Sequence, residues 1–492
     1  MSGRLQDARD YERKAAALIR EDERPAFHLT PCCGWMNDPN GFSYYGGKYH
    51  LFYQYNPYGM HWATMHWGHA VSEDLLRWEY LPAALAPDAP YDCDGCFSGS
   101  ATRLDDGRQL LMYTGVRQEK LADGGIRDVQ VQCLATGDGA DYKKYEGNPV
   151  ISSSMLPEGA STADFRDPKI WRKSDGSFCC AVASRAADGS GQILLYESED
   201  GFRWSFWKVL AGNHGRLGRM WECPDFFSLD GNQLLVLSPQ DMVADGEYHS
   251  GNGTVCIIGD FDKKTGCFRE RQNQCIDCGI DFYAPQTLLA PDGRRIMIAW
   301  MQNWDSCAIR EGGAWSSQMT LPRELSVRDG RLIQQPVREL ERFRGAKLAG
   351  GEFCFSGEKR LEGLHGRLVD MELDIRPDAG DSPCHVFRIR LAEGLGFHTD
   401  IVYRPYEGTL SLDRRFSGSR RALLHVQENR LFRTEPGLRL RVVLDKYSVE
   451  VFANGGEQVM TAVFYTDIRA DGISFCSDGK LSLGVEAYSL GA

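Results

Sequence analysis

The stretch Trp35-Met36-Asn37-Asp38-Pro39-Asn40-Gly41 places a carboxylate next to a carboxamide and close to an indole, shortly before a glycine turn and an apolar segment. The succession of turn glycine and apolar segment occurs five times, with the glycines at Gly47, Gly107, Gly176, Gly231 and Gly293. Four of these turns are Asp-Gly, which suits the positive φ of a tight hairpin. A repeat of roughly 60 residues made of short strands predicts a β-propeller of five antiparallel blades. Ordinary hairpins in a β-sandwich are the alternative, because Asp-Gly turns are common.

Carboxylates recur at one phase of this repeat. The residues nine positions before the turn glycines are Asp38, Ser98, Asp167, Glu222 and Ala284, and three of them are acids. The first strand of a propeller blade lines the central channel, so the spacing predicts that the three acids face one axis. Grouping carboxylates is electrostatically costly, and proteins accept that cost mainly at functional sites. The alternative, three solvated loop acids, does not explain their common spacing.

Length and composition limit the class of protein. A chain of 492 residues is too long for one hydrophobic core, so we expect two domains. The formal net charge of −12 argues against a nucleic acid or an anionic membrane as partner. Residues 1–24 are strongly charged and lack the apolar region of a signal peptide, and no later apolar run is long enough to span a bilayer. These features predict a cytoplasmic protein.

We therefore predict an all-β fold in four parts. Residues 1–24 form an N-terminal helical segment, with the helix over 7–19, and residues 25–335 form the five-bladed β-propeller. Residues 336–344 are a linker, and the alternating segments 438–444 and 448–452 indicate a C-terminal β-sandwich over 345–492. The second domain has no comparable group of acids, aromatics and histidines, so we expect it to have a structural role.

Sixteen cysteines raise the question of disulfides or a metal. Two pairs, Cys93/Cys96 and Cys275/Cys278, have C-x-x-C spacing, and two such pairs form zinc sites when about 15–20 residues separate them. Here the gap is far longer. A cytoplasmic chain is kept reduced, so we expect free thiols, no metal and no cofactor.

Two further stretches have the side chains that bind sugars. Residues 62–69 concentrate indoles and imidazoles, and Trp faces stack on the apolar faces of sugar rings, while His, Asn and Gln bond the hydroxyls. His66 and His69 are better interpreted as satisfied core histidines than as metal ligands. Phe97 and Ser98 occupy the channel position of the second blade, where an aromatic ring and a hydroxyl can contact a ligand.

These motifs, taken in order, resemble glycoside hydrolase family 32, the family of invertases, fructanases and sucrose-6-phosphate hydrolases. The resemblance covers nearly the whole chain, through the segments 35–41, 50–57, 66–72, 97–100, 165–169, 221–225 and 445–455. It departs slightly at Asn454-Gly455-Gly456, where the family has Asn-Asp-Gly. The resemblance implies a five-bladed propeller followed by a β-sandwich, as the repeat also does.

The resemblance also implies roles for individual residues. Asp38 is expected to be the nucleophile, Glu222 the general acid/base, and Asp167 the stabiliser of the transition state. The fructose contacts that it implies are Asn37, Gln54, Trp62, Phe97, Ser98, Arg166, Tyr283 and Trp300. The partner is a small sugar substrate, and the oligomeric state stays open between monomer and homodimer.

The expected activity is that of a retaining β-fructofuranosidase acting on sucrose, its 6-phosphate or short fructans. Cleavage of a ketofuranoside passes through an oxocarbenium-like state, which needs one carboxylate at the anomeric carbon and one acid at the leaving oxygen. Two alternatives stay open: a propeller glycosidase for another furanoside, such as an arabinanase, and a non-catalytic carbohydrate-binding propeller. A glucose 6-phosphate group would lie at the channel mouth, where Arg117, Lys120 and Arg310 are candidate contacts or merely solvated charges.

Overall fold

The computed structural model describes residues 2–306, 308–310, 312–378, 380, 382–418, 422–433 and 437–491. Its helices are α1 (Gly3–Ala16) and three short 3-10 helices, Glu21–Glu23, Ser153–Met155 and Arg338–Phe343. In this part of the chain no helix is both long and apolar enough to cross a membrane. The remaining elements are strands, which confirms the predicted all-β class.

Five antiparallel sheets form the propeller, and the apolar strand predicted after each turn glycine is the second strand of its blade. Their strands are β1 (Gly34–Tyr45), β2 (Lys48–Asn56), β3 (His66–Ser72), β4 (Glu79–Leu85); β5 (Gly95–Arg103), β6 (Gln109–Lys120), β7 (Ile126–Gly137), β8 (Tyr142–Lys144); β9 (Phe165–Arg172), β10 (Phe178–Arg185), β11 (Gly191–Ser198), β12 (Ser205–Gly212); β13 (Trp221–Leu229), β14 (Asn232–Pro239), β15 (Val255–Asp262), β16 (Cys267–Cys275); β17 (Tyr283–Leu289), β18 (Arg295–Trp300), β19 (Trp315–Ser316), β20 (Arg323–Arg328) and β21 (Arg331–Pro336). The short β19 leaves the fifth blade and pairs in parallel with β1, which closes the ring of blades.

The hairpins follow the predicted chemistry. All five turn glycines have positive φ, between 76° and 92°, a region that a side chain would make costly. The second strand of each blade is buried because neighbouring blades cover both of its faces; β10, for example, is buried from Phe178 to Ser184. Long apolar segments after each turn are therefore the sequence signature of the blade centres.

A ring of hydrogen bonds runs around the axis and joins every blade to the next. We call it the axial ring; its members, one from each first strand, are Asn40, Ser100, Lys169, Asp225 and Gln286. Asn40 accepts from the Gly99 amide at 3.0 Å, and Ser100 donates to the Pro168 carbonyl at 2.6 Å. Lys169 donates to Asp225 at 2.8 Å, Asp225 accepts from the Thr287 amide at 2.6 Å, and Gln286 accepts from the Phe42 amide at 3.0 Å. Because four of the five members are buried, the ring closes the channel.

The C-terminal part of the chain, from β22 onward, is a β-sandwich, as predicted. Its strands are β22 (Arg344–Lys359), β23 (Val369–Pro377), β24 (Phe387–Gly394), β25 (Phe397–Arg404), β26 (Thr409–Asp413), β27 (Val426–Arg430), β28 (Leu438–Asp445), β29 (Ser448–Ala453), β30 (Gln458–Val463) and β31 (Gly472–Leu490). β31 is long enough to pair with β24 near its start and with β23 further on, so it belongs to both layers. One apolar core lies between the layers and includes Ile389, Leu412, Leu373 and Val451. The predicted division at 336–344 stays a prediction.

Helix α1 begins earlier than the predicted 7–19. Ser2 caps it by accepting a hydrogen bond from the Leu5 amide, a cap that the apolar pattern does not reveal. The helix packs on the first blade, where Glu12 accepts from the Ala83 amide at 2.8 Å. Burial raises the pKa of the Glu12 carboxyl to about 7, although that hydrogen bond opposes the rise.

A buried polar network joins the sandwich to the propeller. Glu450 accepts from the Leu321 amide at 2.7 Å and from both Nε and Nη2 of Arg323, at 3.1 and 2.6 Å. His28 lies between Asp445, at 2.7 Å, and Glu450, at 3.1 Å. These side chains are at most 1% exposed. The segment 445–455, which resembles the family, therefore acts here as the anchor between domains.

Candidate active site

Three acids from different blades meet above the axial ring. The thiol of Cys223 lies 3.6 Å from Oδ2 of Asp38 and 3.7 Å from Oδ2 of Asp167. The backbone amide of Cys223 also donates to Asp167, at 3.0 Å. Glu222 precedes this cysteine on β13, so residues that are 184 positions apart in the chain share one pocket.

A β-bulge in each first strand turns the site residues toward the axis. The pairing register shifts between Met36 and Pro39 in β1, and shifts at the corresponding place in β5, β9, β13 and β17. Asp167, Cys223 and Ala284 have positive φ inside these bulges, at 65°, 48° and 51°. Bulges commonly re-aim a side chain next to an active site, and three strained residues at equivalent positions indicate that use here.

The bulges correct the count that relates the acids. The equivalent of Asp167 in the fourth blade is Cys223, not Glu222, which instead corresponds to Arg166. In the fourth blade, counting nine residues back from the turn glycine reaches the residue before the true equivalent of Asp167. The hairpin turns differ in length: the fourth has two residues, between Leu229 and Asn232, and the third has five. The three acids do converge, but they are not related by strict blade symmetry.

Asp38 is held by two side chains that the family resemblance implies as fructose contacts. Ser98 donates to Oδ2 at 2.6 Å, and Asn37 donates to Oδ1 at 3.0 Å. The Trp35 indole in turn donates to the Asn37 carboxamide oxygen at 3.0 Å, which fixes the amide orientation. Burial raises the pKa of the Asp38 carboxyl; the Ser98 hydroxyl opposes this rise, and the Glu222 charge adds to it.

Glu222 is surrounded by donors. Arg166 donates through Nε and Nη2 to Oε1, at 3.0 and 2.9 Å. Oε2 accepts from the Tyr283 hydroxyl at 2.7 Å and from the Gln240 amide at 2.8 Å. These four hydrogen bonds fix both carboxylate oxygens, and they make Arg166 and Tyr283 direct neighbours of the acid.

Asp167 shares the same cation but at a longer distance. Nε of Arg166 lies 3.9 Å from Oδ2 of Asp167. Burial raises the pKa of the Asp167 carboxyl; Arg166 opposes the rise, and the charges of Glu222 and Asp38 add to it. A buried group of three carboxylates with one guanidinium carries a net negative charge, which suits a site where positive charge develops in the substrate.

Aromatic rings form the pocket wall. Trp300 packs edge-to-face against Trp35 at 5.9 Å, Tyr283 at 6.4 Å and Trp304 at 4.9 Å between ring centroids. At the outer side, Trp62 meets Phe97 at 5.8 Å, and 47% of Trp62 is exposed. An exposed indole above a buried polar centre is the arrangement expected for a sugar site.

Comparison with known proteins identifies the family. The model of the glycosyl hydrolases family 32 N-terminal domain matches residues 28–336, and that of the family 32 C-terminal domain matches residues 339–489. The chain belongs to glycosyl hydrolase family 32.

Three of the proteins that it resembles match it over nearly their whole length. The raffinose invertase of Escherichia coli is 38% identical over 98% of this chain and 99% of its own. A sucrose-6-phosphate hydrolase of Escherichia coli is 37% identical over 90% and 89%. Among solved structures, the family 32 β-fructofuranosidase of Bombyx mori superposes with a TM-score of 0.83 at 33% identity, covering 99% of this chain and 98% of that one. A mutant of that silkworm enzyme was solved in complex with sucrose.

The predicted sugar contacts of this family 32 protein have three kinds of position. Asn37, Ser98, Arg166 and Tyr283 contact the acids directly, and Trp300, Phe97 and Trp62 form the wall. Gln54 is 2% exposed and donates to the Cys96 carbonyl at 3.1 Å, so it supports the strand that carries Phe97.

Sequence reasoning missed Cys223, Gln240 and Thr114. Thr114 accepts the backbone N–H of Asp167 at 2.9 Å and so supports the strained residue. Cys223 had a signal, because it lies between an acid and a proline that both recur in the repeat. Gln240 had none, since it follows β14 and reaches Glu222 only through the fold.

The candidate phosphate contacts are ion-paired, exposed or stacked on aromatic rings, and the cysteines outside the active site include the buried C-x-x-C pair at 275 and 278. Arg117 pairs with Glu119 at 2.5 Å, Lys120 is exposed at the end of β6, and the Arg310 guanidinium stacks at 5.2 Å on both Trp315 and Tyr447. Among the residues described, no group of three or more His, Cys, Asp or Glu side chains has a metal-binding arrangement. Cys275 and Cys278, at the end of β16 and just after it, are buried and pack against the apolar core of the sandwich.

Proposed function

We propose that this protein is a retaining β-fructofuranosidase that releases terminal β-D-fructofuranosyl residues from sucrose, sucrose 6-phosphate or short fructo-oligosaccharides. The observation that carries the proposal is the Cys223 thiol in contact with both Asp38 and Asp167, next to a Glu222 that Arg166 binds. The relatives are an invertase and a sucrose-6-phosphate hydrolase, and their chains match nearly end to end. The cytoplasmic location expected from the sequence is part of this proposal.

In the first step, Asp38 is the nucleophile. Its Oδ atoms hold one hydrogen bond each from Ser98 and Asn37, which orient the carboxylate and leave lone pairs for attack. The carboxylate forms a bond to the anomeric carbon while the bond to the leaving oxygen breaks, and Glu222 transfers its proton to that oxygen. The products are a fructosyl ester of Asp38 and a free alcohol.

In the second step, Glu222 is the base. Its carboxylate takes a proton from water, the water oxygen attacks the anomeric carbon, and the ester bond to Asp38 breaks. Two displacements at one carbon retain the configuration. Arg166, Tyr283 and Gln240 hold Glu222 in place for both transfers. Asp167 stabilises the positive charge that develops on the sugar and accepts hydrogen bonds from the sugar hydroxyls.

Product identification tests the activity. Sucrose, sucrose 6-phosphate, raffinose, inulin and an aryl arabinofuranoside are incubated with one preparation, and the sugars are separated by chromatography. In methanol–water the retaining route gives methyl β-D-fructofuranoside and no α-anomer. Release of arabinose without fructose would favour the arabinanase alternative, and no turnover of any substrate would favour a binding protein.

We further propose that both sucrose and sucrose 6-phosphate are substrates and that the phosphorylated sugar is preferred. The fructosyl contacts are common to both, so any preference must come from the channel mouth. The measurement is kcat/KM for the two sugars on the same preparation. A higher kcat/KM for unphosphorylated sucrose or for longer fructans would overturn the preference and leave the catalytic assignments intact.

A further inference from the structure

The propeller has a second opening, below the axial ring. A cleft of about 690 Å³ is lined by the far halves of all five first strands. Lys169 and Asp225 form its floor, and the same residues separate it from the acids above. We call it the distal cleft; its volume is in the range of small-molecule sites, about 300–1,000 Å³.

Positive charge gathers in the distal cleft, although the chain as a whole has a net charge of −12. Six basic side chains line it, against the two acids Asp175 and Asp225; they are Arg103, Lys169, Arg172, Lys173, Lys263 and Arg295. Lys169, Arg172 and Lys173 have acidic partners, at Asp225, Asp105 and Glu197. Within the described part of the chain, the other three form no salt bridge. Among the described residues, three of the six basic side chains of the cleft therefore have no acidic partner.

Of these three basic side chains, Arg295 is the one whose buried nitrogen most clearly lacks a hydrogen-bond partner. Its guanidinium stacks on Phe227 at 4.6 Å, and its one hydrogen bond is a long contact to Thr287, at 3.4 Å. Its Nε is buried and has no hydrogen-bond partner among the described residues, and neither has Oδ1 of Asp225. A buried polar group without a hydrogen-bond partner is energetically costly, so a ligand that supplies the missing partners gains affinity.

From this arrangement we propose that the distal cleft binds a small hydroxylated anion, of the class of sugar monophosphates. The phosphate lies between Arg295 and the rim cations Arg103 and Lys263, where charge-assisted hydrogen bonds are available. A ligand hydroxyl donates to Asp225, and the sugar face packs on the aromatic wall that includes Trp171 and Trp207. This site is independent of the catalytic acids and of the proposed activity.

Calorimetric titration of the full chain tests the proposal, with glucose 6-phosphate, inorganic phosphate and glucose as probes. Saturating fructose is present to fill the fructosyl position beside the acids; glucose 6-phosphate can still reach the channel mouth, so the cleft variants, and not fructose, separate the two sites. Glucose 6-phosphate is expected to bind more tightly than either of the other two. The double variant Arg103→Gln/Lys263→Gln should bind it roughly tenfold or more weakly, as expected for the loss of charge-assisted contacts.

Two controls make the result decisive. Lys264→Gln removes the neighbouring exposed lysine, which does not line the cleft, and should leave binding unchanged. Arg295→Lys keeps the charge but loses the planar fork, and should weaken phosphate binding while kcat/KM for sucrose stays at the wild-type value. Absence of binding at millimolar glucose 6-phosphate, competition by fructose, or equal loss in Lys264→Gln would each overturn the proposal.

Discussion

Replacing Glu450 with glutamine should destabilise the protein strongly while leaving the chemistry intact. Each Glu450 oxygen accepts at least one hydrogen bond from a buried donor: Oε1 from the Leu321 amide and His28, and Oε2 from the Arg323 guanidinium. An amide nitrogen in place of either oxygen faces those donors with another donor. All of these side chains are buried, so solvent does not replace the lost contacts.

The magnitude follows from the loss of a buried charge partner. Breaking one partner of a buried ion pair costs about 3–5 kcal/mol, because the other charge remains uncompensated. At about 2–4 °C per kcal/mol for domains of 150–250 residues, Glu450→Gln should lower the melting temperature by roughly 6–20 °C. The hydrogen-bond partners of Glu450 are His28, Leu321 and Arg323 and include none of the three catalytic acids, so kcat measured well below that temperature should not change.

Thermal unfolding at one scan rate, together with kcat for sucrose, is the measurement. Glu486→Gln is the matched control, because Glu486 is 55% exposed and pairs with Lys347 at 2.7 Å. Exposed pairs contribute about 0–1 kcal/mol, so this variant should melt with the wild type. If Glu450→Gln melted normally and kcat fell, the anchor interpretation would be refuted, and the sandwich would have a part in catalysis.

Three further predictions concern the acids and His28. Asp38→Asn should stay folded and lose activity by several orders of magnitude, because an amide cannot form the covalent intermediate; wild-type turnover would exclude Asp38 as nucleophile. Glu222→Gln should be most damaging for sucrose and milder for an activated aryl fructoside, since general acid catalysis contributes about 10²–10⁴-fold; an equal loss for both would exclude it as the acid. Burial lowers the pKa of His28, but its bonds to Asp445 and Glu450 outweigh this and raise it to about 9. Its contribution to stability is therefore complete below about pH 6.5 and is lost as pH rises through about 9, so melting curves should show an alkaline decline that His28→Gln abolishes.

The blades were predictable because their signals are local. A turn glycine with positive φ followed by an apolar strand needs only neighbouring residues, so the five hairpins could be read directly. Asp38 and Asp167 could be placed on the axis for the same reason. The local contacts of the predicted fructose-binding residues were harder to predict, since Gln54 donates to a backbone carbonyl rather than to an acid.

Features that depend on contacts between distant segments were out of reach. The relation of Glu222 to Arg166 rather than to Asp167 depends on turn length and bulge position, which residue spacing alone does not reveal. The anchor joins Arg323 to Glu450 across 127 residues, and nothing in either local pattern indicates it. Helix α1 was placed too late because its cap, Ser2, lies outside the apolar pattern.

The axial ring closes the inner end of the catalytic pocket, so the pocket opens only at its mouth. The departing sugar must leave through the mouth by which the second reactant enters, so water gains access only after the first product has moved aside. On the proposed two-step mechanism, a sugar that remains there presents its own hydroxyls to the fructosyl ester, and we expect transfer to compete with hydrolysis at high sugar concentration. A polymer chain cannot pass through the pocket beyond Lys169 and Asp225. Only the end of the chain can therefore reach the acids, and the polymer can be shortened only from that end.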